Sequence, residues 1–321
     1  MSEPTLSVVV PCYNEQEVLP ETCQRLSTLL NRLIGEGLIS SGSRIWFIDD
    51  GSRDHTWSMI LEASRALGSL VCGIKLSRNR GHQAALMAGL MTASGDVLIS
   101  VDADLQDDLD AIPKMLKEYT TGCDIVYGVR NSRSSDTFFK RVTAEGYYKV
   151  LQTLGIEVVF NHADYRLLSR RAVEALRSFP ETGVFLRGLI PQLGFRSTQV
   201  EYARSERFAG ESKYPLGKML ALAWQGVTSF SVAPLRAITT MGILVSLASL
   251  SMGLWALWVK LFSERALPGW ASIVIPLFLL SGVQLLSLGA IGEYIAKVFM
   301  ETKRRPMYFI EQISQPDEET F

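Results

Sequence analysis

From Ala237 to Val259 the chain runs for 23 residues without a formal charge, bracketed by Arg236 and Lys260. As a helix this run is roughly 35 Å long, enough to cross a hydrocarbon core of ~30 Å. After a short loop containing Glu264 and Arg265, a second uncharged run extends from Ala266 to Gly292. Both exceed the length at which an apolar run predicts a membrane span. Two spans joined by a short loop form a hairpin, with both flanks on one side. Trp255, Trp258 and Trp270 fall toward the loop end of both runs, where an interfacial aromatic belt is expected. The flanks carry Arg236, Lys297, Lys303, Arg304 and Arg305, and the loop only Lys260 and Arg265. Positive charge gathers on the cytoplasmic side, so the sequence predicts a multi-pass protein of the inner (plasma) membrane, with everything before the hairpin in the cytoplasm.

That surplus explains a composition too apolar for an ordinary soluble enzyme: 47% hydrophobic, 20% charged, mean hydropathy +0.15 over 321 residues. A net charge of -1 argues against a nucleic-acid partner. Cys12, Cys23, Cys72 and Cys123 have no C-x-x-C spacing, and His55, His82 and His162 stand far apart. Neither a zinc site nor a disulfide framework is expected. No signal peptide is expected, because Leu6–Val10 is short, β-branched and followed by Pro11. The expected organisation is a cytoplasmic domain over 1–215, an interfacial amphipathic helix over 216–235, two spans over 236–295 and a cytoplasmic tail over 296–321. Gly282 and Gly289 would let spans pack closely, which leaves a homo-oligomer open.

The first 130 residues alternate short apolar runs with helical stretches. Strands are expected at Leu6–Val10, Ile45–Ile48, Leu70–Leu76, Val97–Val101 and Ile125–Val129. Helices are expected at Glu17–Leu33, Thr56–Leu67, Gln83–Ala93 and Leu109–Tyr119. Such alternation predicts an α/β fold with a mostly parallel sheet, in which ligands bind beyond the carboxyl ends of the strands. Each of those ends is polar: Pro11-Cys12-Tyr13-Asn14-Glu15, Asp49-Asp50-Gly51-Ser52, Arg78-Asn79-Arg80-Gly81, Asp102-Ala103-Asp104-Leu105-Gln106, and Arg130.

In extended backbone, residues two apart point the same way, so Asp102 and Asp104 can aim two carboxylates at one point, with Gln106 on the same parity. Two such carboxylates repel unless a cation neutralises them. Oxygen ligands without His or Cys suit Mg²⁺ or Mn²⁺, whose remaining positions take water and phosphate oxygens. A diphosphate ligand follows. The Walker-type phosphate loop, the dinucleotide glycine fingerprint and the G-x-S-x-G elbow are all missing from the sequence.

Together these blocks resemble the inverting family 2 glycosyltransferases of GT-A (Rossmann-like) fold. The resemblance narrows to the membrane-bound polyprenyl-phosphate glycosyltransferases: bactoprenol glucosyltransferases, formamido-arabinose transferases and dolichyl-phosphate mannose synthases. Asp164-Tyr165-Arg166-Leu167, Arg207-Phe208-Ala209-Gly210-Glu211-Ser212-Lys213-Tyr214, Pro234-Leu235-Arg236, Gly282-Val283-Gln284 and Gly292-Glu293-Tyr294-Ile295 match further blocks of that subgroup. Two departures stand out: Ala163-Asp164-Tyr165-Arg166 replaces the usual Gly-Asp-Phe-Arg, and Asp108 replaces a common proline.

The resemblance implies that Pro11, Tyr13, Glu15, Asp50 and Arg78 meet the nucleotide. Asp102, Asp104 and Gln106 would hold the cation on its diphosphate. Asp164 matches a proposed catalytic base, and with Asp104 would carry catalysis. Arg130, Arg166, Arg207, Ser212 and Lys213 fall where phosphates of donor and acceptor are met. The implied reaction is inverting transfer of a sugar from a nucleoside diphosphate to undecaprenyl or another polyprenyl phosphate, for cell-envelope (O-antigen) glycan modification. Phe179–Gly188 is similar to the glucosyl branch, favouring UDP-glucose over UDP-formamido-arabinose, UDP-N-acetylglucosamine or GDP-mannose. A processive polysaccharide synthase would carry Gln-x-x-Arg-Trp and more spans. A non-catalytic nucleotide-binding scaffold would not need Asp102, Asp104 and Asp164 together.

Overall fold

The computed structural model describes residues 3–130, 162–179, 186–203, 233–262 and 269–315. The chain divides into two compact units, one of 1–152, 157–215 and 304–321, the other of 153–156 and 216–303. The first holds an eight-stranded mixed sheet. Its strands are β1 (Leu6–Cys12), β2 (Arg44–Asp49), β3 (Val71–Leu76), β4 (Val97–Ser100), β5 (Ile125–Arg130), β6 (His162–Ser169), β7 (Ser197–Tyr202) and β8 (Ile310–Ser314), in the order β7-β5-β6-β4-β1-β2-β3-β8. The described helices of this unit are α1 (Leu19–Gly35), α2 (Thr56–Leu67), α3 (His82–Thr92), α4 (Ala111–Thr120), α5 (Arg170–Arg177) and α6 (Leu186–Gln192).

β1 is buried along its whole length, as a strand covered on both faces must be. Val8 and Val10 share a core with Leu26, Leu30 and Leu33 of α1 and Ile112 and Met115 of α4. Val9 points the other way, toward α3. There Gly89 allows the closest approach: a Cβ at that position would lie 2.3 Å from Val9 and 2.8 Å from Ile48. The helix therefore sits directly on β1 and β2, with Ala84–Leu90 buried.

The parallel β1, β2, β3 and β4 agree with the alternating pattern. The insertion of β6 between β4 and β5, antiparallel to both, does not follow from it. Because β6 runs backwards, its beginning lies at the same sheet edge as the carboxyl ends of β4 and β5. Its register against β5 slips between Tyr127 and Val129, whose partners are Arg166 and His162, so the stretch around Asp164 bulges. Bulges commonly re-aim a side chain beside a site.

Segment 296–321, for which the sequence suggests a tail, supplies the end of a helix and then β8. This edge strand pairs antiparallel with β3, and the Ser77 amide donates to the Phe309 carbonyl at 3.0 Å. The second unit holds two long helices, α7 (Ala233–Phe262) and α8 (Gly269–Thr302). Within α8, Leu280–Thr302 is long and apolar enough to cross a membrane. Leu244, Leu247, Leu254 and Trp258 of α7, and Ile273, Leu277, Leu285 and Ile295 of α8, are exposed. Nearly all of the expected interfacial helix (216–232) and the expected hairpin loop (263–268) lie outside the described residues.

Candidate active site

Loops from β1, β2 and β3 are latched together at the carboxyl edge. The Asp50 amide donates to the Cys12 carbonyl at 2.9 Å. Asn14, in the left-handed region with φ 55°, donates its amide to Ser52 Oγ at 2.9 Å and accepts from the Arg53 amide at 2.8 Å. The Glu15 amide donates to Thr56 Oγ1 at 2.9 Å, and its carbonyl receives the first amides of α1. Asp50 itself is buried. Its two oxygens accept the amides of Arg80 at 2.7 Å and Gly81 at 2.8 Å. Burial raises its carboxyl, and those amides offset only part of the rise. Gly51, at φ 67°, has no room for a side chain, since a Cβ would sit 2.6 Å from the backbone of Arg78 and Asn79. Asp50 and Gly51 thus build the Arg78–Gly81 loop from behind. Of the residues expected to meet the nucleotide, Pro11 is buried in β1, while Tyr13 and Arg78 are exposed at this edge.

β4 ends at Ser100, and the chain turns through Ala103–Leu105, with Leu105 at φ 57°. The extended-strand parity expected for Asp102, Asp104 and Gln106 therefore gives way to a turn. Asp102 and Asp104 are half-buried and Gln106 is buried, its backbone N–H donating to Asp104 Oδ1 at 3.2 Å. Burial raises the Asp102 carboxyl first. His82 opposes the rise, and the charges of Asp164 and Asp104 add to it. A cation would relieve that crowding. Among the described residues no cluster of three or more His, Cys, Asp or Glu is arranged to cage an ion. Two carboxylates with hard oxygen donors nevertheless fit Mg²⁺ or Mn²⁺ shared with phosphate oxygens.

Asp164 is the hub of the site. Arg166 pairs with its Oδ1. Arg187 of α6 spans both oxygens at 3.3 Å. Gln83 Nε2 donates to Oδ2 at 3.3 Å, and His82 Nε2 lies 3.5 Å from the same oxygen. Ser100 Oγ donates to the Asp164 carbonyl. Burial alone would raise this carboxyl, but His82, Arg166 and Arg187 outweigh it and hold the group well below the usual carboxylate range. Arg166, for which the sequence suggests a phosphate contact, is only 1% exposed and meets Asp164 instead of solvent.

Arg130 belongs to a neighbouring cluster. Its Nε donates to the Tyr202 hydroxyl at 3.2 Å, and that hydroxyl donates to Asp107 Oδ1 at 2.6 Å. Burial, reinforced by the charge of Asp102, pushes Asp107 up to about 6. Arg207, Ser212 and Lys213 lie outside the described residues. His82, Gln83, Arg187, Asp107 and Tyr202 were not expected from the sequence. For His82 and Gln83 a signal existed, since they directly follow Arg78-Asn79-Arg80-Gly81.

Residues 7–177 match the model of the family described as Glycosyl transferase family 2. A Bacillus subtilis (strain 168) protein named Uncharacterized glycosyltransferase YkoT is 50% identical over 313 residues, covering 97% of this chain and 92% of its own. The bactoprenol glucosyl transferase of Shigella phage SfV is 37% identical, covering 97% and 99%. The prophage bactoprenol glucosyl transferase homolog of Escherichia coli (strain K12) is 36% identical with the same coverage. The fold is also similar to glucosyl-3-phosphoglycerate synthase from Mycobacterium tuberculosis, with a TM-score of 0.50 and 20% identity over 70% of this chain and 78% of that one. With more than half of the chain matched by the family model and relatives aligned along nearly all of it, the protein belongs to glycosyl transferase family 2 and is a glycosyltransferase.

Proposed function

We propose that the protein transfers one sugar, with inversion, from a nucleoside diphosphate to a polyprenyl phosphate at the cytoplasmic face of a membrane. The observation that carries this reading is the likeness to bactoprenol glucosyl transferases, which spans the long helices as well as the sheet. UDP-glucose is the favoured donor. The membrane arrangement has further support. β8 lies in one sheet with β1–β7, although α7 and α8 come between them in the chain. A sheet occupies one side of a bilayer, so the chain between β7 and β8 either stays on that side or crosses an even number of times, and two spans meet this where one would not. That favours the hairpin.

Asp102 and Asp104, with Gln106, would hold Mg²⁺ or Mn²⁺, which when bound offsets the charge of the departing diphosphate. Tyr13 and Arg78 face the nucleotide. On the acceptor side, a phosphate monoester has a second pKa near 6 and is largely ionised at neutral pH. It needs positioning and charge compensation more than deprotonation. The depressed carboxyl of Asp164 suits that division of labour. Asp164 orients Arg187 and Arg166 instead of taking a proton, and Arg207, Ser212 and Lys213 bring further phosphate-binding groups. The test is a screen of radiolabelled sugar nucleotides against undecaprenyl phosphate with purified full-length protein. Label should enter the lipid fraction fastest from UDP-glucose. No lipid-linked label from any sugar nucleotide would sink the proposal.

A further inference from the structure

His82 occupies a place that neither the nucleotide loop nor the carboxylate hub explains by itself. It opens α3, immediately after two residues whose amides are fixed by Asp50. Its backbone is therefore anchored to the end of β2. Its ring reaches across the site: Nε2 lies 3.7 Å from Asp102 Oδ1 and 3.5 Å from Asp164 Oδ2. Both distances exceed the usual 2.7–3.2 Å of an N–H···O bond. One nitrogen thus stands between two carboxylates, nearer to Asp164 and held by both through charge. Its side chain is 41% exposed, against 10% for that of Asp164, so a ligand can reach the ring. The next residue extends the link, because Gln83 donates to Asp164 and accepts from the Leu186 amide at 3.3 Å, where α6 begins with Arg187 beside it.

We propose that His82 is a positioning residue that couples the donor site at Asp102 to the acceptor-side hub at Asp164. The inference rests on the reading that Asp102 serves the donor diphosphate and Asp164 the acceptor phosphate. When Asp102 turns to the loaded donor, its hold on His82 weakens, and the Nε2–H closes on Asp164. Asp164 then holds Arg187, its partly exposed partner, in place for the incoming phosphate. Binding of either substrate strengthens binding of the other, and by linkage the two factors are equal.

The experiment measures the affinity of full-length protein for farnesyl phosphate, a short polyprenyl phosphate, with and without saturating UDP and Mg²⁺. In the wild type UDP should tighten farnesyl phosphate about tenfold, within the usual span of coupling between sites. In His82→Ala that factor should fall below about twofold, while each ligand alone binds within about threefold of wild type. kcat should fall and, with the other substrate saturating, each KM should rise by the lost factor, about fivefold or more, and His82→Gln, which retains an N–H donor, should recover part of the coupling. His82→Phe keeps the ring's bulk without its nitrogen and replaces His82→Ala if that variant does not fold. Wild-type coupling in either variant overturns the proposal, as does a wild type that turns over without coupling. Loss of UDP affinity in step with kcat also overturns it, since His82 would then be a donor ligand. A wild type that binds no farnesyl phosphate and glycosylates no polyprenyl phosphate instead overturns the functional reading beneath it.

Discussion

Asp164 matches a family's proposed base, while its surroundings favour the ionised carboxylate. Its folded pKa is depressed, so it contributes stability above the ordinary carboxylate range. That contribution is lost as pH falls through its folded value. Near neutrality it is ionised but a weak proton acceptor, which argues against general-base work. Asp164→Asn keeps the shape and removes the charge that gathers Arg166, Arg187 and His82. Losing one charge-assisted contact costs about 1.5–3 kcal/mol, or roughly ten- to a hundredfold in rate. The residual activity should keep an acid limb near pH 6, set by the acceptor phosphate. A kcat/KM profile from pH 5 to 9 checks this, and complete inactivity at every pH would restore the base assignment. Asp104 should behave differently. Asp104→Ala removes half of the carboxylate pair and should abolish turnover. EDTA should silence the wild type, with Mg²⁺ or Mn²⁺ restoring it, and full turnover after careful metal stripping would exclude the metal.

At the level of elements, the site depends on the far end of the chain. β8 closes the edge beside β3, and Phe309 holds the amide of Ser77, the residue just before the Arg78–Gly81 loop. Lys75 pairs with Glu311 at 3.2 Å, and Ser314 Oγ donates to Ser64 Oγ at 3.0 Å. Ending the chain after Arg305 should therefore lower the melting temperature and weaken UDP binding several-fold. Calorimetry and titration on the truncated protein check both effects, and unchanged UDP affinity would mean that the loop stands without its edge strand. Little of this was legible beforehand. β1–β5 and α1–α4 announce themselves because each buries a continuous apolar run or stripe. β8, Ile310–Ser314, is largely exposed and mostly polar, so its pairing exists only through β3. β6 contains Asp164 and the buried Arg166, which disguise a central strand. The carboxylates of the site could be read from their place after apolar strands. The contacts of His82 and Arg187 could not, because Asp164 lies 82 residues after the first and 23 before the second in sequence. Only the antiparallel insertion of β6 brings them together.

For the whole molecule, the sheet's closure by β8 adds a connectivity argument that both flanks share one side, while the charge count alone bears on which side that is. If α7 and α8 both cross the bilayer, 263–268 must lie opposite the sheet, and β8 must lie on the sheet's own side. The four natural cysteines are all buried, which makes the question accessible to thiol labelling. Pro268→Cys and Gln312→Cys each add one reactive position, Gln312 being exposed on β8. A membrane-impermeant maleimide applied to intact cells should label the cysteine at 268 and leave the one at 312 untouched until the membrane is permeabilised. The natural protein should stay unlabelled throughout, because a buried thiol reacts slowly. Labelling at both positions from outside would place the catalytic sheet on the outer face, away from cytoplasmic sugar nucleotides. Labelling at neither, with both reacting after permeabilisation, would mean that α7 and α8 dip into the membrane or lie along it. Their exposed leucines and tryptophans would then face lipid from one side only, and the acceptor phosphate would have to be drawn from the same leaflet that holds both helices.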